Sequence, residues 1–374
     1  MTRRATVFPR ACALVAASIV AAAVVPLAAG ATVRRGHERV YFLAADRVEW
    51  DYAPSGRNLI TGQPFGEAEK PWTGSAPDRI GTRYLKSVFH EYTDGTFTRE
   101  KPRPRRWEHL GILGPVIQAE VGDTISVTLK NNTPYPVSLH AHGVWYDKES
   151  EGVSYNDGVN ADVKGGAAVL PGRKFTYLWR VLDRSGPGPG DGSSVMWMYH
   201  SHVDEVADTN AGLMGPIVIT GRGKARPDGS PRDVDRQFMA VFTVFDENVS
   251  RWADTNRQRA TTAPVSAEDP GFVESNLKHA INGYIFGNLP GLTMKKGERV
   301  RWYVMGMGSE RDVHTPHWHG NTVLSMGMRT DVISVFPATM VVADMRPDDK
   351  GTWLFHCHVN DHLTAGMAAL YTVR

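Results

Sequence analysis

Within twelve residues, from His356 to Met367, the chain carries one cysteine, three histidines and one methionine. Side chains on a strand alternate between its two faces, so His356 and His358 would point one way and Cys357 the other. A thiolate, imidazoles and a thioether are the soft to borderline ligands that copper selects. This segment therefore predicts two metal sites back to back, with Cys357 as the covalent link between them.

Three further clusters contain the histidines that such sites would need: His140 with His142, His200 with His202, and His314 with His317 and His319. The four clusters hold ten of the chain's 14 histidines. In an extended segment His317 and His319 share a face, whereas His314 faces oppositely. We therefore assign His314 to the site of Cys357, and the other two to the site of His356 and His358.

Less specific interpretations exist for each cluster taken alone. A lone cysteine is often a small buried hydrophobic residue, and a His-x-His pair on a strand can hold a single zinc ion. The combination of four clusters with His362 and Met367, five and ten residues after Cys357, favours copper. Two histidines, one cysteine and a weak axial methionine form a blue-copper electron-transfer site, which His314, Cys357, His362 and Met367 would fill.

The four clusters resemble the four copper-binding motifs of multicopper oxidases. Outside them, residues 50–55, 113–123, 142–152 and 279–289 resemble the ceruloplasmin and hephaestin members of that family. The resemblance implies four coppers: the blue, type 1 ion, a type 2 ion and a type 3 pair. It assigns His140 and His317 to the type 2 copper, and the type 3 pair to six histidines: His142, His200, His202, His319, His356 and His358.

The resemblance also implies a reaction. Four electrons would enter singly at the blue site, cross Cys357 to His356 and His358, and reduce dioxygen to two waters. We therefore expect the catalytic residues to be Cys357, His356, His358, His362 and Asp361, the last because it adjoins His362.

The nature of the reductant depends on residues beside the blue site. Glu274, His279 and Asp361 resemble the iron ligands of ceruloplasmin-like domains, which favours ferrous iron as the substrate. The alternative is a laccase that oxidises phenols and aromatic amines at the edge of His362. Simpler explanations exist: Glu274 as a solvated loop charge, His279 as a strand-edge residue, and Asp361 as a brace for a copper ligand. Pro270 stands where iron oxidases carry another acid, which speaks against an auxiliary iron-holding site.

The rest of the chain predicts an all-β fold. Short β-rich runs at residues 116–121, 124–129, 175–179 and 215–220 are separated by Gly, Pro, Asn and Asp turns. An edge-strand phrase, a His-x-His-Gly motif and a His-x-His motif occur in this order twice. We predict two cupredoxin-like Greek-key β-sandwich domains: domain 1 at 32–220, a charged, Gly- and Pro-rich linker at 221–235, and domain 2 at 236–374.

The two predicted domains are not equivalent. Ser201 stands in domain 1 where Cys357 stands in domain 2, and no histidine follows that matches His362. Domain 1 therefore supplies four imidazoles and no blue site. Because a short linker disfavours folding the two sets of imidazoles onto each other, we expect a head-to-tail ring with the three-copper cluster between chains. Two-domain oxidases of this family close as homotrimers, which the resemblance extends to this chain.

Residues 1–31 predict a secretory signal peptide. Arginines at 3, 4 and 10 flank an apolar run to residue 29, and small residues follow. A single-pass membrane anchor is the alternative, and the paired arginines would suit twin-arginine export. We therefore expect a secreted or extracytoplasmic protein without a membrane partner after cleavage.

Cleavage would also change the balance of charge and cysteine. It would leave 39 Lys and Arg against 40 Asp and Glu, without the positive excess that a nucleic-acid partner requires. It would leave Cys357 as the only cysteine, so no disulfide could form within one chain.

Two other copper-protein classes fit less well. A copper nitrite reductase carries its blue site in the first domain, whereas Cys357 is in the second. A non-catalytic copper-binding protein would have no use for a cysteine bridge between two sites.

Overall fold

Strands form most of the regular structure. A computed structural model of the chain describes residues 1–2 and 36–374, so the predicted signal peptide lies outside the described residues apart from its first two positions. The strands of residues 36–220, here the first half, are β1 Glu38–Asp51, β2 Arg57–Asn58, β3 Gln63–Pro64, β4 Arg83–Glu91, β5 Ile117–Glu120, β6 Thr124–Asn131, β7 His140–Ala141, β8 Lys174–Arg180, β9 Ser194–His200 and β10 Met214–Thr220.

The strands of residues 236–374, here the second half, are β11 Arg236–Asp246, β12 Leu277–Ile281, β13 Thr293–Met294, β14 Val300–Gly306, β15 Pro316–Trp318, β16 Val323–Ser325, β17 Met328–Thr330, β18 Met340–Met345, β19 Gly351–Cys357 and β20 Ala368–Val373. The helices are short: α1 Lys70–Thr73, α2 Glu205–Ala211, α3 Ala253–Ala260, α4 Pro270–Ser275 and α5 Asn360–Thr364, with 3₁₀ turns at Arg105–Leu110, Ala161–Val163, Gly165–Ala167 and Asp183–Ser185. All four β-rich runs predicted from the sequence are strands: β5, β6, β8 and β10.

The pairing of strands repeats between the halves. The first half has two sheets in the orders β4-β1-β6-β8 and β5-β10-β9-β7, and the second half has β12-β11-β14-β18-β16-β17 and β13-β20-β19-β15. In both halves the first sheet contains one parallel pair, β1 with β6 and β11 with β14. The second sheets likewise contain the parallel pairs β10 with β5 and β13 with β20. The internal sequence repeat therefore corresponds to a repeated topology.

Each half buries an apolar core between its two sheets. In the first half Leu129 of β6 and Ile217 of β10 belong to one buried cluster. In the second half Trp302 of β14 and Phe355 of β19 belong to another. Two antiparallel-rich sheets packed face to face form a β-sandwich, so each half is one sandwich.

A third apolar core lies between the halves. Alternate residues of β11 point to opposite sides: Phe242 packs in the core of the second sandwich, whereas Val241 packs with Met198 of the first half. A fully buried ion pair crosses this region, from Lys86 of β4 to Glu247 just after β11. The halves are therefore held together by both apolar and ionic contacts.

Strand β10 ends at Thr220 and β11 begins at Arg236. The segment between them folds back on itself, because Ala225 bridges Pro231 and the Arg226 guanidinium donates to the carbonyl oxygens of Arg232 and Val234, at 3.1 and 2.9 Å. The division into two domains joined by this segment remains a prediction. Among residues 1–2 and 36–374, no helix has the length and apolar character needed to span a bilayer.

Candidate metal centres

The predicted blue site lies at the end of β19. Cys357 is the last residue of that strand and is fully buried. Its Sγ lies 3.9 Å from Nδ1 of His314 and 3.7 Å from Nδ1 of His362, and the two Nδ1 atoms are 3.1 Å apart. His314 precedes β15, and His362 is in α5, the short helix that follows the cysteine. The chain thus brings together three residues that are up to 48 positions apart.

These separations suit one metal ion. Two nitrogens bound tetrahedrally to a divalent ion at about 2.0–2.1 Å lie about 3.3 Å apart, and a sulfur bound at about 2.3 Å lies about 3.5–3.6 Å from each nitrogen. The observed distances are close to both values. Met367, the predicted axial ligand, is fully buried in the same apolar cluster as Cys357, and its carbonyl oxygen accepts the Cys357 N–H at 3.1 Å.

Hydrogen bonds prepare the thiol to bind a metal. Burial alone would raise the pKa of Cys357, but His314, His362 and the N–H groups of Thr315 and Val359 lower it to about 6. The two N–H groups lie 3.4 and 3.5 Å from Sγ. Because the thiolate is the form that binds metal, the site presents its ligand in the required state at neutral pH.

Asp312 orients the His314 ring. Its buried Oδ1 lies 3.1 Å from Nε2 of His314 and also accepts the Val244 N–H at 2.6 Å, while Oδ2 accepts the Ser309 N–H at 2.7 Å. When Nε2–H donates to this carboxylate, the Nδ1 lone pair faces Cys357. Burial lowers the pKa of His314, but the hydrogen bonds to Asp312 and Cys357 and the charges of both groups together outweigh it, and the net pKa is raised. Carboxylates in this position fix the tautomer and orientation of metal-binding histidines.

Four imidazoles of the second half gather on the other side of Cys357. The Nε2 atoms of His319 and His356 are 3.1 Å apart, a spacing that also suits a shared ion. Metal-binding atoms of His317, His319 and His356 all lie within 4.8 Å of one another. His358 is exposed and stacks on His317, with ring centroids 4.7 Å apart. The Nδ1–H of His356 donates to the Cys357 carbonyl oxygen at 2.8 Å, which leaves Nε2 free.

The first half contains a matching group. The Nε2 atoms of His142 and His200 are 3.2 Å apart, and their metal-binding atoms lie within 4.8 Å of one another and of His140. The Nδ1–H of His200 donates to the Ser201 carbonyl oxygen at 3.0 Å, as His356 does to Cys357. His202 is at the edge of the group, with its ring centroid 5.3 Å from that of His140.

For four of these imidazoles, protonation does not compete with metal binding at neutral pH. Burial and the neighbouring imidazoles lower the pKa of His142 to about 4 and that of His200 to about 3. Burial also lowers the pKa of His140 and His356. Neutral imidazole is the metal-binding form, so both groups are ready to bind metal.

Glycine closes the His-x-His-Gly motif in both halves for a steric reason. Gly143 and Gly320 have positive φ angles of 75° and 69°. A Cβ atom at Gly143 would lie 2.1 Å from the Trp197 ring, and one at Gly320 would lie 2.4 Å from the Trp353 ring. Only glycine allows the chain to turn away here while the preceding histidines face the metal group.

The two imidazole groups are separate within one chain. Across residues 36–374, each set of three metal-capable residues draws on histidines of one half only. Ring contacts between histidines in the same range also stay within a half, as in His140 with His202 and His317 with His358. Several of these side chains are partly exposed, among them His142, His202 and His319.

The position of Ser201, equivalent to Cys357, holds a polar network in place of a metal site. The Ser201 hydroxyl donates to Oδ2 of the fully buried Asp208 at 2.6 Å, and Arg251 Nε donates to Oδ1 at 2.7 Å. A buried carboxylate paired with a guanidinium satisfies its hydrogen bonds without a metal. The structure thus gives a physical reason, beyond the missing cysteine, against a blue site at this position.

A cavity of about 820 Å³ opens beside His362. Glu274 of α4, His279 of β12 and Asp361 of α5 all line it, so the structure places the three predicted iron-binding residues around one space. Both carboxylates are exposed to solvent, whereas His279 is only 6% exposed. The rings of His279 and His362 have centroids 5.0 Å apart.

Apolar side chains, among them Leu277, Val313 and Val359, line much of this cavity, and one of its polar groups lacks a hydrogen-bond partner within the part of the chain that the structure describes. His279 Nδ1 is buried and has no hydrogen-bond partner among the described residues. Burial and the nearby His362 lower the pKa of His279 to about 3, so its ring is neutral at physiological pH. Trp72 and Arg311 also line the cavity, and Trp72 Nε1–H donates to Glu274 Oε1 at 3.2 Å. Two carboxylates, one neutral imidazole and one guanidinium therefore face the same volume.

Sequence comparison identifies the protein family. Two sequence profiles described as multicopper oxidase match residues 109–224 and 254–374, which together make up more than half of the chain. The chain belongs to the multicopper oxidase family. The predicted resemblance is therefore confirmed, and copper is the cofactor of this multicopper oxidase.

The relatives of this multicopper oxidase include much longer proteins. Human hephaestin is 44% identical over 345 residues, which are 91% of this chain and 30% of hephaestin. Human ferroxidase HEPHL1 is 43% identical over 340 residues, 90% of this chain and 29% of that protein. Human ceruloplasmin is 42% identical over 350 residues, 91% and 33% of the two chains. The chain thus spans about a third of the length of these relatives.

Solved structures share the fold of this multicopper oxidase. The blue copper oxidase from Nitrosomonas europaea aligns over 90% of this chain and 86% of its own, with a TM-score of 0.55 and 19% identity. The prediction of an all-β, cupredoxin-like fold is confirmed. Which histidine binds which copper in this multicopper oxidase remains a prediction.

Two residues at the sites of this multicopper oxidase were not predicted from the sequence. Asp312 lies two positions before His314, and an acid so close to a histidine ligand is a signal that could have been used. Trp72 lies 202 residues from Glu274, and no local pattern connects them.

Proposed function

We propose that this multicopper oxidase couples the oxidation of four ferrous ions to the reduction of one dioxygen molecule. Four electrons and four protons would convert dioxygen to two waters, with four ferric ions as the other product. The observation that carries this proposal is the cavity in which Glu274, His279 and Asp361 surround a space beside His362. Carboxylate oxygens and an imidazole nitrogen suit ferrous iron. Human HEPHL1, 43% identical, is named a ferroxidase.

The proposal assigns copper to the residues described above. The type 1 copper would be held by His314, Cys357, His362 and Met367; the type 2 copper by His140 and His317; and the type 3 pair by His142, His200, His202, His319, His356 and His358. Copper supplies one-electron redox chemistry when bound. Cys357 links the two sites covalently, because its side chain faces His314 and His362 while its carbonyl oxygen holds the His356 ring.

The cavity residues would bind and orient the substrate. Glu274 and Asp361 provide negative charge at the mouth, and the neutral ring of His279 provides a nitrogen donor at the wall. A donor held there is one imidazole away from His362. Carboxylate ligands also stabilise the ferric product more than the ferrous substrate, which lowers the iron potential and favours electron release. The positive charge of Arg311, which also lines the cavity, repels ferrous and ferric iron alike, and it repels the ferric product more strongly because that ion has the larger charge.

A double replacement tests the substrate assignment. Glu274→Ala/His279→Ala should lower kcat/KM for ferrous iron by about tenfold or more, equivalent to about 1.4 kcal/mol of transition-state stabilisation. Oxidation of a phenol, which needs only the edge of His362, should be nearly unchanged. Glu268→Ala is the matched control, because Glu268 is an exposed acid near α4 that does not line the cavity.

The size of the cavity favours a second candidate function, that of a laccase. A volume of 820 Å³ falls within the range of about 300–1,000 Å³ that is typical of sites for small organic molecules. An unchanged rate with ferrous iron in the double variant would favour the laccase. An equal loss on iron and phenol would indicate damage to the blue site, which the visible absorption of the copper–thiolate bond would reveal.

We also propose that the three-copper cluster forms between chains of a homotrimer. The separation of the two imidazole groups in one chain supports this, as does their partial exposure. A head-to-tail ring places a first-half group against a second-half group at every interface.

Subunit mixing tests the interchain cluster. A His140→Ala/His142→Ala variant and a His356→Ala/His358→Ala variant should each be inactive, yet recover oxygen uptake after exchange of subunits, because some interfaces then pair two intact groups. Failure to recover activity after verified exchange would contradict the proposal. Light scattering should give the mass of three chains.

Export through cleavage after about residue 31 completes the proposal, supported by the charge and apolar pattern of residues 1–31. N-terminal sequencing of protein collected outside the cytoplasm checks it. A mature chain that retains residues 1–31 would favour the membrane anchor.

A further inference from the structure

Trp72 contacts two of the three residues that line the proposed iron cavity. Its indole N–H donates to Oε1 of Glu274 at 3.2 Å. Its ring meets that of His279 edge to face, with centroids 6.4 Å apart and an interplanar angle of 77°. Trp72 belongs to α1 in the first half, whereas the other two belong to the second half. One side of the cavity is therefore built across the contact between the halves.

A buried lysine fixes Trp72 in this position. The ammonium of Lys278 is fully buried and donates three hydrogen bonds to backbone carbonyl oxygens: those of Trp72 at 2.6 Å, Gly81 at 2.8 Å and Ser275 at 2.6 Å. An ammonium buried without such partners would be strongly unfavourable, so these segments cannot separate easily. Ser275 follows Glu274 directly, and Lys278 precedes His279. The same ammonium thus holds the backbone beside all three side chains.

We propose that Trp72 is a positioning and specificity-determining residue, which selects a small metal cation over a bulky aromatic donor. This inference rests on the proposed ferroxidase function. The indole N–H occupies one carboxylate oxygen of Glu274 and leaves the other free for a cation. As a neutral donor, it restrains the carboxylate without competing for its charge, unlike a lysine or arginine in the same place. The ring lines the cavity edge to face with His279, where it would obstruct an aromatic donor that approaches His362.

Two substitutions separate the role of the N–H group from that of the ring. Trp72→Phe keeps an aromatic ring and removes the donor, and Trp72→Ala removes both. Trp50→Phe is the matched control, because Trp50 is also half-buried and donates to a carbonyl oxygen, that of Gly283 at 2.7 Å, but does not line the cavity.

Steady-state kinetics and cation binding provide the readout. Trp72→Phe should raise KM for ferrous iron about three- to tenfold, the range expected for losing an ordinary hydrogen bond, because Glu274 is exposed and water screens its charge, with kcat within about twofold. Zn²⁺, which has no redox chemistry, should bind the cavity of the copper-loaded protein more weakly by a similar factor in calorimetry. Trp72→Ala should also raise kcat/KM for 2,6-dimethoxyphenol, while Trp50→Phe changes neither substrate. Retention of the blue absorption shows that each variant is folded and loaded.

The outcomes distinguish this inference from the function on which it rests. If Glu274→Ala/His279→Ala impairs iron oxidation but both Trp72 variants keep the wild-type KM, the inference is wrong and the ferroxidase proposal stands. A Trp72→Ala variant that loses phenol oxidation would also overturn it, since the ring would then bind aromatic donors. If the double variant oxidises iron normally, the ferroxidase proposal fails and the inference fails with it.

Discussion

Replacing Asp312 with asparagine should weaken copper binding at the blue site without removing any ligand. The carboxylate accepts three hydrogen bonds, from His314, Val244 and Ser309, and Asp312 is only 1% exposed. All three partners are donors. An asparagine amide offers one oxygen and one NH₂ group, so at least one buried donor would face another donor.

The size of the effect follows from these contacts. One buried N–H without a partner costs about 1–3 kcal/mol in the free energy of unfolding, and the other hydrogen bonds lose the strength that a charged acceptor gives them. For metal affinity, losing a carboxylate that orients a histidine ligand typically costs about 10–100-fold, which equals about 1.4–2.7 kcal/mol. We expect Asp312→Asn to fall in this range, because a neutral amide oxygen would orient the His314 ring less firmly than the carboxylate.

A competition titration measures the change. Copper would be removed with a chelator of known affinity while the visible absorption of the copper–thiolate bond is followed, and urea unfolding of the copper-free protein would report stability separately. Asp254→Asn is the control, because Asp254 is exposed and pairs only with Arg257 among the described residues. A variant that binds copper as tightly as the wild type, with the same absorption, would refute the role assigned to Asp312.

Three further predictions follow from buried or charged groups. Lys86→Met should lower the free energy of unfolding by about 3–5 kcal/mol, since it leaves the buried Glu247 unpaired. Lys86→Met/Glu247→Leu should lower the free energy of unfolding by less than the single change, as urea unfolding would show. Burial lowers the pKa of His109 to about 3, and its value in the unfolded chain is about 6.5, so the unfolded state binds more protons between these values and stability falls as the pH drops below about 6.5. The contribution of this residue should make the free energy of unfolding about 1 kcal/mol lower at pH 5.5 than at pH 6.5, and this difference should disappear in His109→Gln, as unfolding at the two pH values would show. Arg311→Gln should lower KM for ferrous iron about two- to fivefold at low ionic strength, and the difference should shrink as salt is added; an unchanged KM would mean that Arg311 does not act on the cation.

Much of the metal chemistry could be predicted because it is encoded in local spacing. The alternation of side chains along an extended segment assigned His314 to Cys357, and His317 with His319 to His356, and the structure has these residues together. Short β-rich runs predicted β5, β6, β8 and β10 for a similar reason. Strand periodicity is a property of the backbone and needs no knowledge of the rest of the molecule.

The remaining features depend on contacts between distant segments. The sequence indicates that Ser201 stands in the place of a cysteine, but not that its hydroxyl is bound to a buried Asp208 that pairs with Arg251. Resemblance to ceruloplasmin-like domains identifies Glu274 and His279 as candidate iron ligands. Nothing in the sequence indicates that Trp72 of the first half contacts both of them. Periodicity tells which face a residue occupies; the residue that meets that face depends on how the sandwiches pack.

The polar network at Ser201 makes the asymmetry between the halves difficult to reverse. A cysteine introduced at position 201 would face the Asp208 carboxylate, whose charge would raise the thiol pKa and disfavour the thiolate. Removing Asp208 alone would leave Arg251 with only the half-exposed Asp204, 3.5 Å away, and removing Arg251 alone would leave a buried carboxylate without its counter-ion. A blue site in the first half would therefore need several simultaneous substitutions, because each of these changes is harmful by itself. The two halves are thereby committed to different tasks, and gene duplication of this unit would multiply the pair rather than restore symmetry within it.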